Sequence, residues 1–472
     1  MEDKGTLYLV ATPIGNLEDI TFRAIKTLKE VDLIAAEDTR QTLKLLNYYK
    51  ISKPLISYHR HNEDTRSDIL IEKINEGKSI AVVTDAGTPG ISDPGEEIVK
   101  EAIKNNIKIV PIPGACAMIN ALIASGLNTK EFAFYGFLPL NKKNRKEIID
   151  EIINEGKTTI IYEAPHRIIS TLNEFLNIFG DINIVVAKEK TKMERRKMES
   201  KGILYLVATP IGNLEDITFR AIKILQEVDL IAAEDTRQTL KLLNYYKISK
   251  PLISYHRHNE DTRSDILIEK INEGKSIAVV TDAGTPGISD PGEEIVKEAI
   301  KNNIKIVPIP GACAMINALI ASGLNTKEFA FYGFLPLNKK NRKEIIDEII
   351  NEGKTTIIYE APHRIINTLN EFLNIFGDIN IVVAKEITKI HEQFFRGKIS
   401  EVIKLIDSPK GEFIIILEIK KIKKENELNN LSIEEHYKFY QNQGLEKKEI
   451  IKKIAKDLNV NKNEIYQKFI NK

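Results

Sequence analysis

Short apolar runs alternate with segments of helical period along most of the chain. In the second half, 204–208, 230–233, 252–254, 276–281 and 304–309 are rich in β-branched residues and alanine, and they predict strands. Between them 216–226, 261–272 and 292–302 carry apolar residues at helical spacing. Strand and helix alternating in this way predict a mostly parallel sheet covered by helices. A second set follows, with strands expected at 329–334, 355–359, 380–384 and 412–419 and helices at 339–351 and 362–376. The boundary between these two α/β units is expected near 322–327.

The same pattern occurs twice. Residues 1–189 recur at 198–386 with a constant offset of 197 and five differences: Asp3/Ser200, Thr6/Ile203, Thr27/Ile224, Lys29/Gln226 and Ser170/Asn367. So long a period is two copies of a whole protein rather than a solenoid. The copies end differently. The first, copy A, runs into 190–201 (KTKMERRKMESK), a basic stretch without apolar periodicity that reads as a linker. The second, copy B, continues through 387–419 into a Lys-rich tail. Three short helices are expected within 431–470, and Ser432 with Glu435 forms a capping-box signature. From 420 to 472 there are 13 Lys against 8 Asp/Glu, a formal +5, in an arrangement that resembles a helix-turn-helix. Expected divisions are 1–123, 124–189, the linker 190–201, 202–322, 323–422 and 428–472.

Composition narrows the class. Of 472 residues 42% are hydrophobic and 29% charged, which excludes bulk disorder. Lys+Arg is 68 and Asp+Glu 67, so any basic surface is local. No apolar run reaches the ~18 residues of a membrane span, and the start lacks the basic flank of a signal peptide, so a cytoplasmic location is expected. Cys116 and Cys313 are one position seen twice, expected to be a small buried residue; they exclude a disulfide scaffold and a cysteine-rich zinc site.

Three loops follow predicted strands, where open α/β sheets bind ligands. The first, 208–213 (ATPIGN), has one glycine and no dinucleotide fingerprint. The second, 281–292 (TDAGTPGISDPG), packs three glycines and two prolines beside Asp282 and Asp290. The third, 308–319, has Gly311 before a helix start where free N–H groups suit a carboxylate. With no phosphate-cradling motif, the loops suit a zwitterionic small molecule such as S-adenosylmethionine.

The strings VATPIGNLEDIT, AAEDTR, SYHRHNE, TDAGTPGISDPG, PGACAMINALIASG, YGFLP, YEAPHR and KEITKIHEQFFRG resemble the ribosomal RNA small subunit methyltransferase I family, within the tetrapyrrole methylase superfamily. The resemblance covers all of copy B and stops in copy A at Glu189. With the repeat, it implies a tandem duplicated α/β chain whose body has two domains, a parallel domain plus a mixed-sheet domain, with a small C-terminal helical domain. It implies S-adenosylmethionine-dependent 2′-O-methylation of a cytidine ribose in the decoding region of 16S rRNA, the small ribosomal subunit as partner, and a homodimer or an intrachain pseudo-dimer. The implied cofactor contacts are Thr281, Asp282, Gly284, Thr285, Ser289, Asp290, Gly311, Ala312, Met315, Leu335, Pro336, Glu360, Ala361 and Pro362. One departure is Leu337, where the family often has a basic residue after GFLP.

Transfer to a ribose hydroxyl needs alignment and a base that takes the proton late. The candidates are Asp235, Glu386 and His391, with Glu234 beside them; each also reads as an ion-pair member with Arg237 or Lys385. Candidate RNA contacts are Arg237, His256, Arg257, His258, Lys339, Lys340, Arg342, His363 and Arg364. No metal site is expected, because no Cys or third His has suitable spacing. The alternatives are a small-molecule, tetrapyrrole-type methyltransferase and a non-enzymatic nucleic-acid binder. Copy A, lacking everything that matches 387–419, is expected to expose an unpaired strand edge at 183–187 and an apolar face, and to be inactive or barely stable alone.

Overall fold

Five short strands build the same sheet in each copy. In a computed structural model that describes residues 4–188, 201–419, 432–442, 445–457, 460 and 465–466, copy A forms β1 (Thr6–Val10), β2 (Leu33–Ala36), β3 (Leu55–Ser57), β4 (Ile80–Val83) and β5 (Lys108–Ile112). They pair in parallel in the order β3-β2-β4-β1-β5. All four residues of β4, IAVV, are buried, as expected when helices cover both faces of a parallel sheet.

Two further strands of copy A, β6 (Phe132–Phe137) and β7 (Thr158–Tyr162), belong to a second sheet. Copy B repeats the first sheet with β8 (Ile203–Val207), β9 (Leu230–Ala233), β10 (Leu252–Ser254), β11 (Ile277–Val280) and β12 (Lys305–Ile309), in the order β10-β9-β11-β8-β12. It then adds β13 (Phe329–Phe334), β14 (Thr355–Glu360), β15 (Asn380–Lys385), β16 (Gln393–Lys398) and β17 (Phe413–Glu418).

The second sheet is shared between the copies. Its order is β16-β15-β17-β14-β13-β6-β7, and β13 pairs antiparallel with β6. Phe329 faces Phe134 and Phe331 faces Phe132 across that junction, with ring centroids 5.2 and 5.3 Å apart. Further contacts exchange between the copies in matched pairs. Phe22 and Phe219 rings lie 4.0 Å apart. Arg23 pairs with Asp216 at 3.1 Å and Arg220 with Asp19 at 2.6 Å. Lys157 meets Glu352 at 2.5 Å and the Tyr332 hydroxyl, while Lys354 meets Glu155 and the Tyr135 hydroxyl.

Several sequence expectations need correction. Residues 183–187 form no strand, although the same residues of copy B form β15, held between β16 and β17. Without either neighbour a lone strand has nothing to pair with, so Ile184, Val185 and Val186 are exposed and the sheet's edge is β7. The helix expected at 216–226 starts at Phe219, because Leu214–Asp216 is a separate 3-10 turn and the Thr218 side chain caps the Ala221 N–H. The helix expected from 362 starts at Ile365. Strand β16 and the helix Thr236–Tyr245 were not foreseen; a run of QFFRGK carries no clean alternation.

The unit Lys420–Lys472 is separate by its internal contacts. Its described helices, Ile433–Asn442 and Lys447–Asp457, pack through Tyr440, Ile450, Ile451 and Ile454, and Ser432 and Glu435 form the capping box. Residues 190–200 of the linker and most of the third expected helix lie outside the described residues.

Side chains of Lys354 and Glu155 are only 4% and 5% exposed. Removing one partner leaves an uncompensated buried charge, so Glu155→Ala is expected to destabilise the 1–419 unit by about 3–5 kcal/mol. A urea midpoint unchanged from the parent chain would refute the importance of this pair.

Candidate functional site

The three loops leave adjacent strands. In copy B they follow β8, β11 and β12, which stand in the order β11-β8-β12, so all three open at the same carboxyl edge of the sheet. Backbone pairing between Thr209 and Gly284 ties the first loop to the second, with N–H to carbonyl distances of 2.8 and 3.1 Å. The Thr285 hydroxyl donates to the Ala312 carbonyl at 3.0 Å and ties the second loop to the third. Gly284 has φ +96°, and a Cβ there would meet Ile211 at 3.2 Å, so the turn requires glycine. A Cβ on Gly311 would lie 2.8 Å from the Ala208 Cβ.

Copy A braces the second loop. The Thr129 hydroxyl donates to the Gly287 carbonyl at 2.6 Å, and its N–H donates to Glu293 at 3.2 Å. Thr326 of copy B reciprocates on the Gly90 carbonyl at 2.6 Å. Sequence reasoning missed Thr129, and no local signal could have found it, since its partner lies 158 residues away. It also missed Tyr359, whose hydroxyl accepts the Met315 N–H at 3.1 Å. That bond occupies one of the N–H groups expected to be free at the third loop. The following helix, Ala314–Ile320, has seven residues and its Met315 amide is already engaged.

The remaining cofactor candidates sort by what they touch. Thr281 is buried, and its carbonyl accepts from the Thr209 hydroxyl at 3.0 Å. Asp282 is exposed and accepts the Asp235 N–H at 3.0 Å. Ser289 sits at φ +61° with its carbonyl held by Arg257. Leu335 is buried, and Pro336, Ala361 and Pro362 are half-buried. Glu360 is 1% exposed and fully engaged: it accepts from the Ala361 N–H (2.9 Å) and the Thr368 hydroxyl (2.6 Å) and pairs with Arg364 (3.2 Å). Arg364 also donates to the Leu335 carbonyl at 2.8 Å. The YGFLP and YEAPHR segments are therefore clamped to each other by Glu360 and Arg364.

Asp290 differs from all of these. It is half-buried, and no side-chain partner lies within hydrogen-bond distance of its carboxyl among the described residues. Burial, with the negative charge of Glu234 next, pushes its pKa up to about 8, against the pull of Arg257. Burial also raises Glu234 and Asp282. A half-buried carboxyl without a partner fits a cationic ligand group such as a sulfonium or an ammonium.

The catalytic candidates sit in three different settings. Asp235 caps the helix Thr236–Tyr245 and pairs with Arg237 at 2.9 Å, which holds its pKa down to about 2. Glu386 accepts from the Glu412 N–H and from Lys389, both at 2.9 Å; burial opposes these bonds, yet the net effect lowers its pKa. Its partner is Lys389 rather than the expected Lys385. His391 is exposed in the turn between β15 and β16. Asp235 and Glu386 are thus structural anchors with little appetite for a proton.

Of the RNA candidates, Arg257, His258, Lys339, Lys340 and His363 are exposed. Arg237 is exposed but engaged by Asp235, and His256 is half-buried against Asn259. Arg342 and Arg364 are corrections to the expected set. The Arg342 side chain is 12% exposed and bonded to Glu371 (2.7 Å) and Thr368 (2.9 Å), and Arg364 is the clamp described above. Cys116 and Cys313 are buried free thiols, pushed by burial up to about 12.

The profile of the tetrapyrrole (corrin/porphyrin) methylases matches residues 6–201 and again 203–403. The chain is 48% identical over 282 residues to a ribosomal RNA small subunit methyltransferase I of Halalkalibacterium halodurans, covering 59% of this chain and 98% of that protein. It is 48% identical over 288 residues to its counterpart in Bacillus subtilis, covering 59% and 99%. A solved uroporphyrin-III C-methyltransferase of Thermus thermophilus, complexed with S-adenosyl homocysteine, superposes with a TM-score of 0.35 at 16% identity, over 46% of this chain and 97% of that one.

The Asp290 environment sets a pH dependence. Below about pH 8 the free carboxyl is largely protonated, and a cationic ligand favours the ionised form. Binding therefore releases a proton, and affinity for S-adenosylmethionine should rise with pH and level off above about 8. Calorimetry in buffers of different ionisation heat reads both the slope and the proton release. A flat profile, or one unaltered by Asp290→Asn, would refute the assignment.

Proposed function

The chain belongs to the tetrapyrrole (corrin/porphyrin) methylase family and, within it, to the ribosomal RNA small subunit methyltransferase I proteins, and on that premise we propose how its S-adenosylmethionine-dependent methylation of ribosomal RNA is carried out. The finer reading is 2′-O-methylation of a cytidine ribose in the decoding region of 16S rRNA, performed in the cytoplasm on the small subunit. Near-complete coverage of relatives bearing that name, by a chain whose three loops converge on one sheet edge, carries this reading.

Copy B does the chemistry. S-adenosylmethionine, when bound, supplies a methyl group made electrophilic by its sulfonium. Asp290 and the glycine-rich loop 281–292 hold the cationic end, the third loop and Tyr359 wall the cleft, and the Glu360–Arg364 clamp fixes the second domain's segments around it. Displacement at a methyl carbon needs the ribose oxygen in line with the bond that breaks, so positioning is the main contribution. The hydroxyl becomes strongly acidic only as its oxygen bonds to carbon, and a modest base suffices. Glu234 suits this role better than Asp235 or Glu386, because burial raises its pKa while theirs are lowered. Exposed Arg257, His258, Lys339, Lys340 and His363, with the +5 C-terminal unit, supply phosphate contacts. Copy A acts as the second subunit of an intrachain pseudo-dimer, through β6 and Thr129.

Incubating the chain with methyl-labelled S-adenosylmethionine and small subunits lacking this modification is expected to place the label on a cytidine ribose, read by nuclease digestion and mass spectrometry. Label on a base, or none on RNA, would overturn the reading. Glu234→Gln is expected to lower kcat about 10²-fold while S-adenosylhomocysteine still binds. An unaltered kcat would remove Glu234 from the mechanism.

A further inference from the structure

The truncated copy keeps the cleft. Every cofactor candidate of copy B has an identical counterpart 197 positions earlier, and the local geometry matches. Thr88 donates to the Ala115 carbonyl at 2.9 Å, where copy B has 3.0 Å. The Met118 N–H reaches the Tyr162 hydroxyl at 3.2 Å, where copy B has 3.1 Å. The glycine loop of copy A is braced from outside, since Thr326 of copy B donates to the Gly90 carbonyl at 2.6 Å. The missing strands are therefore not what shapes this loop. A cleft of about 260 Å³ opens here, lined among others by Thr88, Asp93, Cys116, Ala117, Phe137 and Tyr162.

Two observations point to a ligand of the same chemistry. Asp93, in the cleft wall, has no side-chain partner within hydrogen-bond distance among the described residues, and burial lifts it to about 7. Phe137, 53% exposed at the cleft, offers an aromatic face to an apolar or cationic group. Copy A lacks everything that matches 387–419, including the turn 387–392, which in copy B packs on the first loop: a Cβ on Gly212 would meet Lys389 and Thr388 side chains.

We propose that copy A is a second site for the sulfonium nucleoside or its thioether product, so that one chain holds two of these ligands while only copy B has strands β15–β17. This rests on the cofactor reading of copy B and extends it to a half that lacks β15–β17. The test is calorimetric titration of the full chain with S-adenosylhomocysteine, counting sites. Two per chain are expected. Ala117→Trp, at an exposed position that fills the copy A cleft, should reduce the count to one, as should Asp290→Ala in copy B, and the double variant should bind none. Asp93→Ala provides a second probe of copy A, with thermal melting to verify folding. A single site in the parent chain, lost with Asp290→Ala and untouched by Ala117→Trp, would overturn this inference and leave the copy B reading intact. Absence of any binding to the parent chain would overturn both.

Discussion

The structure depends on one antiparallel strand junction. Strands β6 and β13 are chemically the same strand, FAFYGF, and each would be a bare, Phe-rich edge alone. Paired, they fuse two half-sheets into seven strands and bring Thr129 and Thr326 onto the glycine loops of the opposite copies. Because the copies are nearly identical, the contacts come as exchanged pairs: Arg23 with Asp216 and Arg220 with Asp19, Lys157 with Glu352 and Lys354 with Glu155. Covalent linkage then makes the association intramolecular, with a high effective concentration. The shape of each candidate site is in part a property of the other copy.

The exchange symmetry stops where copy A stops. In copy B, β17 runs antiparallel beside β14 and carries β15 and β16 with it, while the helix Ile399–Leu405 packs against Ile365–Phe376. In copy A the corresponding helix, Ile168–Phe179, leaves Ile169 and Leu176 exposed, and β7 ends the sheet. Its inner edge still pairs through β6, which explains how a half-domain keeps two ordered strands where an isolated hairpin-sized fragment would be marginal. The cost falls on 181–188, whose apolar residues have no sheet to join.

Much of this was legible in the sequence, for a physical reason in each case. Buried parallel strands read as short apolar runs, so IAVV and LIAA declared themselves, and the glycine-rich loop after IAVV marked the candidate site. The duplication and the copy lengths were visible by alignment of the chain with itself. What stayed hidden was long-range. Arg342 and Arg364 look like surface cations in KKNRK and APHR, yet fold onto Glu371 and Glu360. Strand β16 depends on pairing with β15 rather than on its own pattern. Thr129 is an unremarkable threonine until β6 meets β13.

Placement along the sheet edge decides which carboxyl does what. Four acidic side chains, Glu234, Asp235, Asp282 and Asp290, gather at the ends of β9 and β11. Asp235 has a helix N-terminus and a fork of Arg237 on it, and is ionised throughout the neutral range. The other three are drawn upward by burial, and each ionised neighbour raises the next, so they do not titrate independently. Asp290, the deepest in this series and the one without a hydrogen-bond partner, holds its proton longest. A ligand that brings positive charge to it shifts the whole set toward the ionised state, and Glu234 gains a neighbour whose charge is now compensated. On the proposed assignment of Asp290 and Glu234, cofactor binding and proton acceptance are thereby coupled through the same carboxyl cluster.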